Sequence, residues 1–169
     1  EAALNIVNGA ISENRKVLIF SQFTSVLKKL GGELSSKSIG YLYLDGSTKA
    51  NKRVKMVKEF NESEDLKIFL ISLKAGGTGL NLTSSDLVLH FDPWWNPAIE
   101  DQATDRAHRI GQQNIVEVIK LIAKDSVEEN IIRLQEDKRE LINKVISGEE
   151  IGSNVIGKLS RDEIIDLFS

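Results

Sequence analysis

Cysteine is absent from the 169 residues, and histidine occurs only twice, at His90 and His108. No disulfide framework, Cys-ligated metal centre or zinc cluster can be built from that supply, so no metal ligands are assigned and a reducing, intracellular setting is expected. Long apolar runs are also missing. The purest, such as Ile68 to Ile71, are a strand's length, far short of the roughly 20 residues that span a bilayer. No basic n-region followed by an apolar h-region opens the chain, so a soluble protein without membrane association is expected. Nor is there an excess of positive charge: 22 Lys and Arg stand against 25 Asp and Glu, a net charge of −3. Generic nucleic-acid binders are usually basic overall, so any DNA contact here is confined to a local patch. What remains, 41% hydrophobic and 28% charged residues, is the composition of an ordinary globular domain with one apolar core.

Short β-branched and aromatic runs recur at Val17 to Phe20, Tyr41 to Leu44, Ile68 to Ile71, Leu87 to Phe91 and Val116 to Ile122, and all five read as strands. Between them lie segments of helical spacing. Phe23, Val26, Leu27, Leu30 and Leu34 form one stripe, and Ala50, Val54, Val57 and Phe60 another. Alternating strand and helix predicts an α/β fold with a doubly wound parallel sheet, its apolar strands buried on both faces. Gly31-Gly32 falls inside or near the end of the first helical stretch. Asp45-Gly46-Ser47-Thr48 reads as a turn whose Ser or Thr caps the next helix. After the last strand, Asp125 or Ser126 caps a long helix carrying Val127, Ile131, Leu134, Leu141 and Val145. A loop at 148–157 and a short helix at 160–168 follow, so the main domain is set at 1–145 and a linker or brace segment at 146–169.

In open parallel sheets, ligands bind beyond the carboxyl ends of the strands. Three junctions there are unusual: Ser21-Gln22-Phe23-Thr24, the run from Ser72 through Lys74 and Gly76-Gly77-Thr78-Gly79 to Asn81, and Asp92-Pro93-Trp94-Trp95-Asn96-Pro97. The glycines let backbone N–H groups approach an anion closely, and Lys74 adds charge; a plain flexible turn is the alternative. No Walker loop and no complete dinucleotide fingerprint occur, so the chain lacks its own triphosphate cradle. Gln102, Arg106 and Arg109 are spaced i, i+4, i+7, which on a helix places them on one face. Paired guanidinium forks suit phosphate and can stabilise charge on a transferring phosphoryl group, although a solvated charged face explains the same spacing. Of the tryptophans, Trp95 is the candidate for nucleic acid and Trp94 for the core. His90, ending an apolar strand, reads as a satisfied core histidine, and His108 as a support for its helix.

With these residues assembled, the sequence resembles the C-terminal helicase lobe, the second RecA-like domain, of Swi/Snf-family DNA-dependent ATPases. Lys16 to Phe23 is similar to helicase motif IV. Leu44 to Thr48 with Arg53, Phe60 and Asn61 resembles the next block, Ser72 to Thr83 motif V, and Gln102 to Gln112 motif VI. Trp95-Asn96-Pro97 completes the signature, and the likeness covers residues 16 to about 145. The resemblance implies a RecA-like lobe with a C-terminal helical extension, working in an ATP-dependent double-stranded DNA translocase. It implies that Arg106 and Arg109 reach ATP phosphates as arginine fingers, with Gln102, Asp105, Gly77 and Gly79 on the nucleotide side. Gln22, Thr24, Lys74, Gly76, Thr78 and Trp95 are implied to border DNA. ATP and Mg2+ would be held mainly by a first RecA-like lobe of the same polypeptide, so this lobe alone is expected not to hydrolyse ATP. The expected target is nucleoprotein or a DNA-bound polymerase. An RNA helicase lobe and a catalytically inactive nucleic-acid-binding scaffold are the alternatives; Gln112-Gln113 after His-Arg-Ile-Gly departs from the RNA helicase pattern.

Overall fold

The computed structural model describes residues 2–76, 80–92, 97–107 and 115–122, with Glu129, Ile132, Arg133, residues 135–137, Arg139 and Glu140 beyond them. Elements run α1 (Ala2–Ser12), β1 (Val17–Ser21), α2 (Thr24–Ser36), β2 (Tyr41–Leu44), α3 (Ala50–Glu62), β3 (Ile68–Ser72), α4 (Leu73–Gly76), β4 (Leu87–His90), α5 (Pro97–Thr104) and β5 (Glu117–Lys120). All pairings are parallel and the strand order is β2-β3-β1-β4-β5. The doubly wound α/β expectation is met, with all five strands present. Among the described residues no helix is long and apolar enough to cross a membrane.

The sheet is sandwiched between two apolar layers because successive strand residues point to opposite faces. Leu18 and Phe20 of β1 join Phe69, Ile71 and Val88 beneath α3 and α5, while Val17 and Ile19 join Ile68, Leu70, Leu87 and Leu89 beneath α1 and α2. β1, β3 and β4 are near-continuous apolar runs, as double burial requires. The two edge strands are less covered: β2 is fully buried only at Leu44, and β5 is at most half-buried, with Val118 open to solvent. The expected strand at Val116 to Ile122 accordingly shortens to four residues.

Several local expectations are corrected. α1 is an addition, held by Ala3, Val7 and Ala10 at helical spacing on a stripe made mostly of small side chains. Phe23 precedes α2 and is 52% exposed, so the buried stripe of that helix is Leu27, Leu30, Gly31 and Leu34. The glycine pair lies inside α2, as expected, and the helix runs on to Ser36. A Cβ at Gly31 would stand 2.6 Å from Tyr41 Oη, so Gly31 serves close packing of helix on strand. In α3 the buried residues are Met56 and Phe60, while Val54 is 70% exposed. The turn at Asp45 forms, with Asp45 Oδ1 accepting from the Ser47 N–H (2.9 Å) and hydroxyl (2.6 Å). The cap does not form, since the residue preceding α3 is Lys49 and no side chain caps the helix. Arg53 Nε instead donates to the Thr48 carbonyl (2.7 Å), drawing the turn against the helix. Glu129, Ile132, Arg133, residues 135–137, Arg139 and Glu140 are helical, as expected of the C-terminal extension, but the expected stripe of Val127, Ile131, Leu134, Leu141 and Val145 and the short helix at 160–168 lie outside the described residues.

Phe60 is fully buried, 5.3 Å from the Phe69 ring, with Lys16 Nζ 5.1 Å above its own ring. Lys16 also donates to the Phe60 and Asn61 carbonyls at the end of α3. Truncation to Phe60→Ala is expected to cost about 3–5 kcal/mol of stability, read as a fall in the denaturant midpoint of the chain.

Candidate functional site

The ladder itself assembles the rim. Ser21 is the register partner of Ser72, and Phe20 of both Ile71 and His90. The junctions after β1, β3 and β4 therefore leave the sheet side by side, as the sequence suggested. The chain leaves β1 towards β2 and β4 towards β5, in opposite directions across the sheet, so the ends of β1 and β4 border a switch-point crevice of the kind that holds ligands.

That crevice is closed at its base by Asp92, which sequence reasoning passed over. Its carboxylate is 7% exposed and accepts hydrogen bonds from the Ser21 hydroxyl and from the Gln22 backbone N–H (2.9 Å). The Phe23 N–H donates to Ser21 Oγ at 3.0 Å, which extends the clasp by one residue. Burial pushes the Asp92 carboxyl above its usual range, while the bonds from Ser21 and Gln22 hold it down. An acid two residues past an apolar strand, at the head of an unusual junction, was the available signal. Behind the clasp, Gln22 is half-buried and Thr24 is exposed on the first turn of α2, so Thr24 is open to a ligand and Gln22 partly so.

After β3 the chain makes one helical turn, α4, in which Leu73 and Ala75 are buried and Lys74 points to solvent. Gly76 is the last described residue there; Gly77, Thr78 and Gly79 lie outside the described residues, as do Trp95 and Arg109. The chain resumes at buried Leu80, exposed Asn81 and buried Leu82. Two bonds hold this returning segment. Asn61 Nδ2 donates to the Asn81 carbonyl (2.9 Å), and the Leu82 N–H donates to the Arg106 carbonyl (2.9 Å). The end of the glycine-rich loop is thus bonded directly to the arginine segment.

The arginine segment departs from the expected helix. α5 stops at Thr104, and residues 105–107 form a turn in which Arg106 N–H reaches the Ala103 carbonyl (3.2 Å) and Ala107 N–H the Thr104 carbonyl (3.0 Å). Gln102 and Asp105 are exposed whereas Arg106 is 5% exposed. Gln102 and Arg106 therefore do not share a solvent face: the tighter turn rotates Arg106 inward.

Beneath α5 lies a polar layer that the sequence did not signal. His90 is fully buried, stacked on Phe20 at 5.7 Å, and its Nε2 is 3.1 Å from Thr104 Oγ1. Its Nδ1 has no partner among the described residues, so it is only half satisfied. Glu100, also buried, forms an ion pair with Lys120 of β5, and Lys120 Nζ donates to Gln135 Oε1 (3.1 Å).

Comparison with known proteins accords with this geometry. Residues 1–111 match the family described as "Helicase conserved C-terminal domain". The chain is 41% identical over 168 residues to an uncharacterized ATP-dependent helicase of Mycoplasma pneumoniae, covering 99% of this chain and 16% of that protein. It is 46% identical over 138 residues to the DNA repair protein RAD5B of Arabidopsis thaliana, covering 82% of this chain and 11% of the relative. A solved structure described as the C-terminal part of the Fun30 ATPase domain superposes with a TM-score of 0.76 at 37% identity, covering 98% of this chain and 50% of that one. The chain spans only a small part of these curated relatives, 16% and 11% of their length.

Burial lowers the His90 pKa from its ordinary 6.5 to about 4, with Glu100 opposing and Lys120 adding to the effect. The folded state then binds fewer protons than the unfolded state between those values, so His90 subtracts stability as pH falls through that window. The expected slope is at most about 1.4 kcal/mol per pH unit. Unfolding free energies of the parent and of His90→Gln, measured from pH 7 to 4, should diverge with the variant showing the flatter profile; parallel profiles would show that His90 titrates normally.

Proposed function

We propose, from the premise that this chain belongs to the helicase conserved C-terminal domain family and is the C-terminal lobe of an SNF2-type ATP-dependent helicase, that it is the second motor lobe of a double-stranded DNA translocase. The single observation that carries this reading is the bond between the Leu82 N–H and the Arg106 carbonyl. It joins the segment that follows the glycine-rich loop, suited to a nucleic-acid backbone, to the segment that carries the arginines, suited to a triphosphate.

In this reading Arg109 is the principal arginine finger. Arg106 takes a lesser share, because its guanidinium has little open surface in this lobe. Exposed Gln102 and Asp105 and the glycines at 77 and 79 complete the nucleotide side. Apart from the single carboxylate of Asp105, the donor set of this chain is cationic or N–H-bearing, which fits triphosphate oxygens rather than a metal ion, so Mg2+ and the Walker lysine belong to a first lobe. ATP, when held there, supplies the phosphoryl group whose developing charge the guanidinium groups neutralise. Without that lobe this one does not hydrolyse ATP.

Gln22, Thr24, Lys74, Gly76, Thr78 and Trp95 face duplex DNA, mostly through phosphate and sugar contacts that carry no sequence preference. Closing and parting of the two lobes alternates the grip and moves the protein along the duplex. Nucleoprotein or a DNA-bound polymerase is the target that such movement would displace, in an intracellular setting.

Three measurements test the reading. In the full-length protein, Arg109→Ala is expected to lower DNA-stimulated turnover by about 10³- to 10⁵-fold with duplex affinity retained; turnover at the parent level would remove the finger role. Duplex DNA should also stimulate the parent far more than RNA does. Lys74→Ala is expected to weaken duplex binding evenly across sequences and to reduce the slope of log affinity against log salt by about 1. An unchanged slope would take Lys74 off the DNA.

A further inference from the structure

α5 is held in an unusual way. It has eight residues, and its inward side is made of Glu100, Ala103 and Thr104, continued by Ala107 in the turn. Apart from half-buried Ile99, its apolar contribution to the core is therefore two methyl groups. Apolar contact is non-directional and here slight, so it cannot by itself fix how α5 is rotated or how deeply it sits. Directional polar contacts can. Two of them fall one turn apart on the inward side of the helix: Glu100 to Lys120, and Thr104 to His90. Lys120 is in turn held by Gln135, so the anchor reaches from α5 through the edge strand β5 to the helical segment beyond it. A second tie, from Arg139 to Asp101 at 2.6 Å, joins that segment to the outer side of α5. Both polar anchors lie within six residues of Arg106, whose carbonyl in turn holds Leu82.

We infer that the Glu100–Lys120 ion pair is a positioning device: it sets the rotation and depth of α5 and so places the arginine turn that follows. Glu100 touches no substrate in this account, and the inference rests on the reading of that turn as the triphosphate-facing element. Buried ion pairs contribute little net stability relative to well-packed apolar replacements, so a pair in this place is better explained by the geometry it imposes. That distinction makes the inference testable, because stability and turnover should separate.

The experiment uses the full-length protein, with ATP turnover measured at saturating duplex DNA and thermal unfolding measured alongside. Glu100→Gln leaves Lys120 without its counter-charge and is expected to lower both Tm and kcat. The double substitution Glu100→Gln with Lys120→Met removes both charges; it is expected to restore Tm towards the parent while kcat stays roughly 10- to 100-fold low. KM for ATP and duplex affinity should remain within about twofold, since neither ligand contact is removed. If kcat returns together with Tm in the double variant, the pair is merely structural and the inference is overturned; parent-level kcat in Glu100→Gln overturns it equally. Arg109→Ala runs in the same assay. Loss of turnover there with parent-like Glu100 variants rejects the positioning role alone, whereas parent-like turnover in Arg109→Ala rejects the underlying reading and the inference with it.

Discussion

The position of β1 in the middle of the sheet governs everything built on the rim. Val17 to Phe20 are fully buried, and their backbone is paired on one side with β3 and on the other with β4. A strand in that position has no freedom to slide, because a slip of one residue would exchange its two apolar faces and expose unpaired backbone groups. The carboxyl ends of the three central strands, at Ser21, Ser72 and His90, are consequently brought side by side. The buried Asp92 carboxylate then converts that alignment into a local structure by holding the last residue of β1, Ser21, and the first beyond it, Gln22.

The helices flanking the sheet are stabilised by different physics. α1 and α2 sit on an apolar stripe against Val17, Ile19, Ile68 and Leu70, and α3 sits on Phe60 and Met56. Burial of that kind is strong and tolerant of small shifts. α5 instead rests on a histidine, a threonine, a glutamate and a lysine, with alanines between them. Such a layer contributes less net stability, since desolvating charges costs nearly what their attraction returns. It is much less tolerant of displacement, which is the property required where a guanidinium must meet a phosphate held by another lobe.

Much of the fold was legible in local pattern. Period-2 and period-3.6 spacing located five strands and the helices α2 and α3 between them, and the three unusual junctions after β1, β3 and β4 do leave the sheet side by side. Failures came where local pattern is degenerate. In α3, Val54 and Met56 lie on stripes that both read as amphipathic, and packing against the sheet selected Met56. In α1 the stripe is largely alanine, which carries weak periodic contrast. The common face expected for Gln102 and Arg106 failed because α5 ends at Thr104, and no glycine or proline there announces the stop.

The order of elements, the parallel class of the sheet and the identity of the motif-bearing residues follow from the chain alone, because backbone geometry imposes the same period on every strand and helix whatever surrounds it. Which charges are buried, and with whom, was decided only by the tertiary structure. Glu100 and Lys120 stand twenty positions apart, and Ser21 and Asp92 seventy-one. A carboxylate beside an apolar run reads in sequence as solvated; it becomes interior when a partner arrives from another strand to offset its desolvation, and that arrival is a property of the folded sheet.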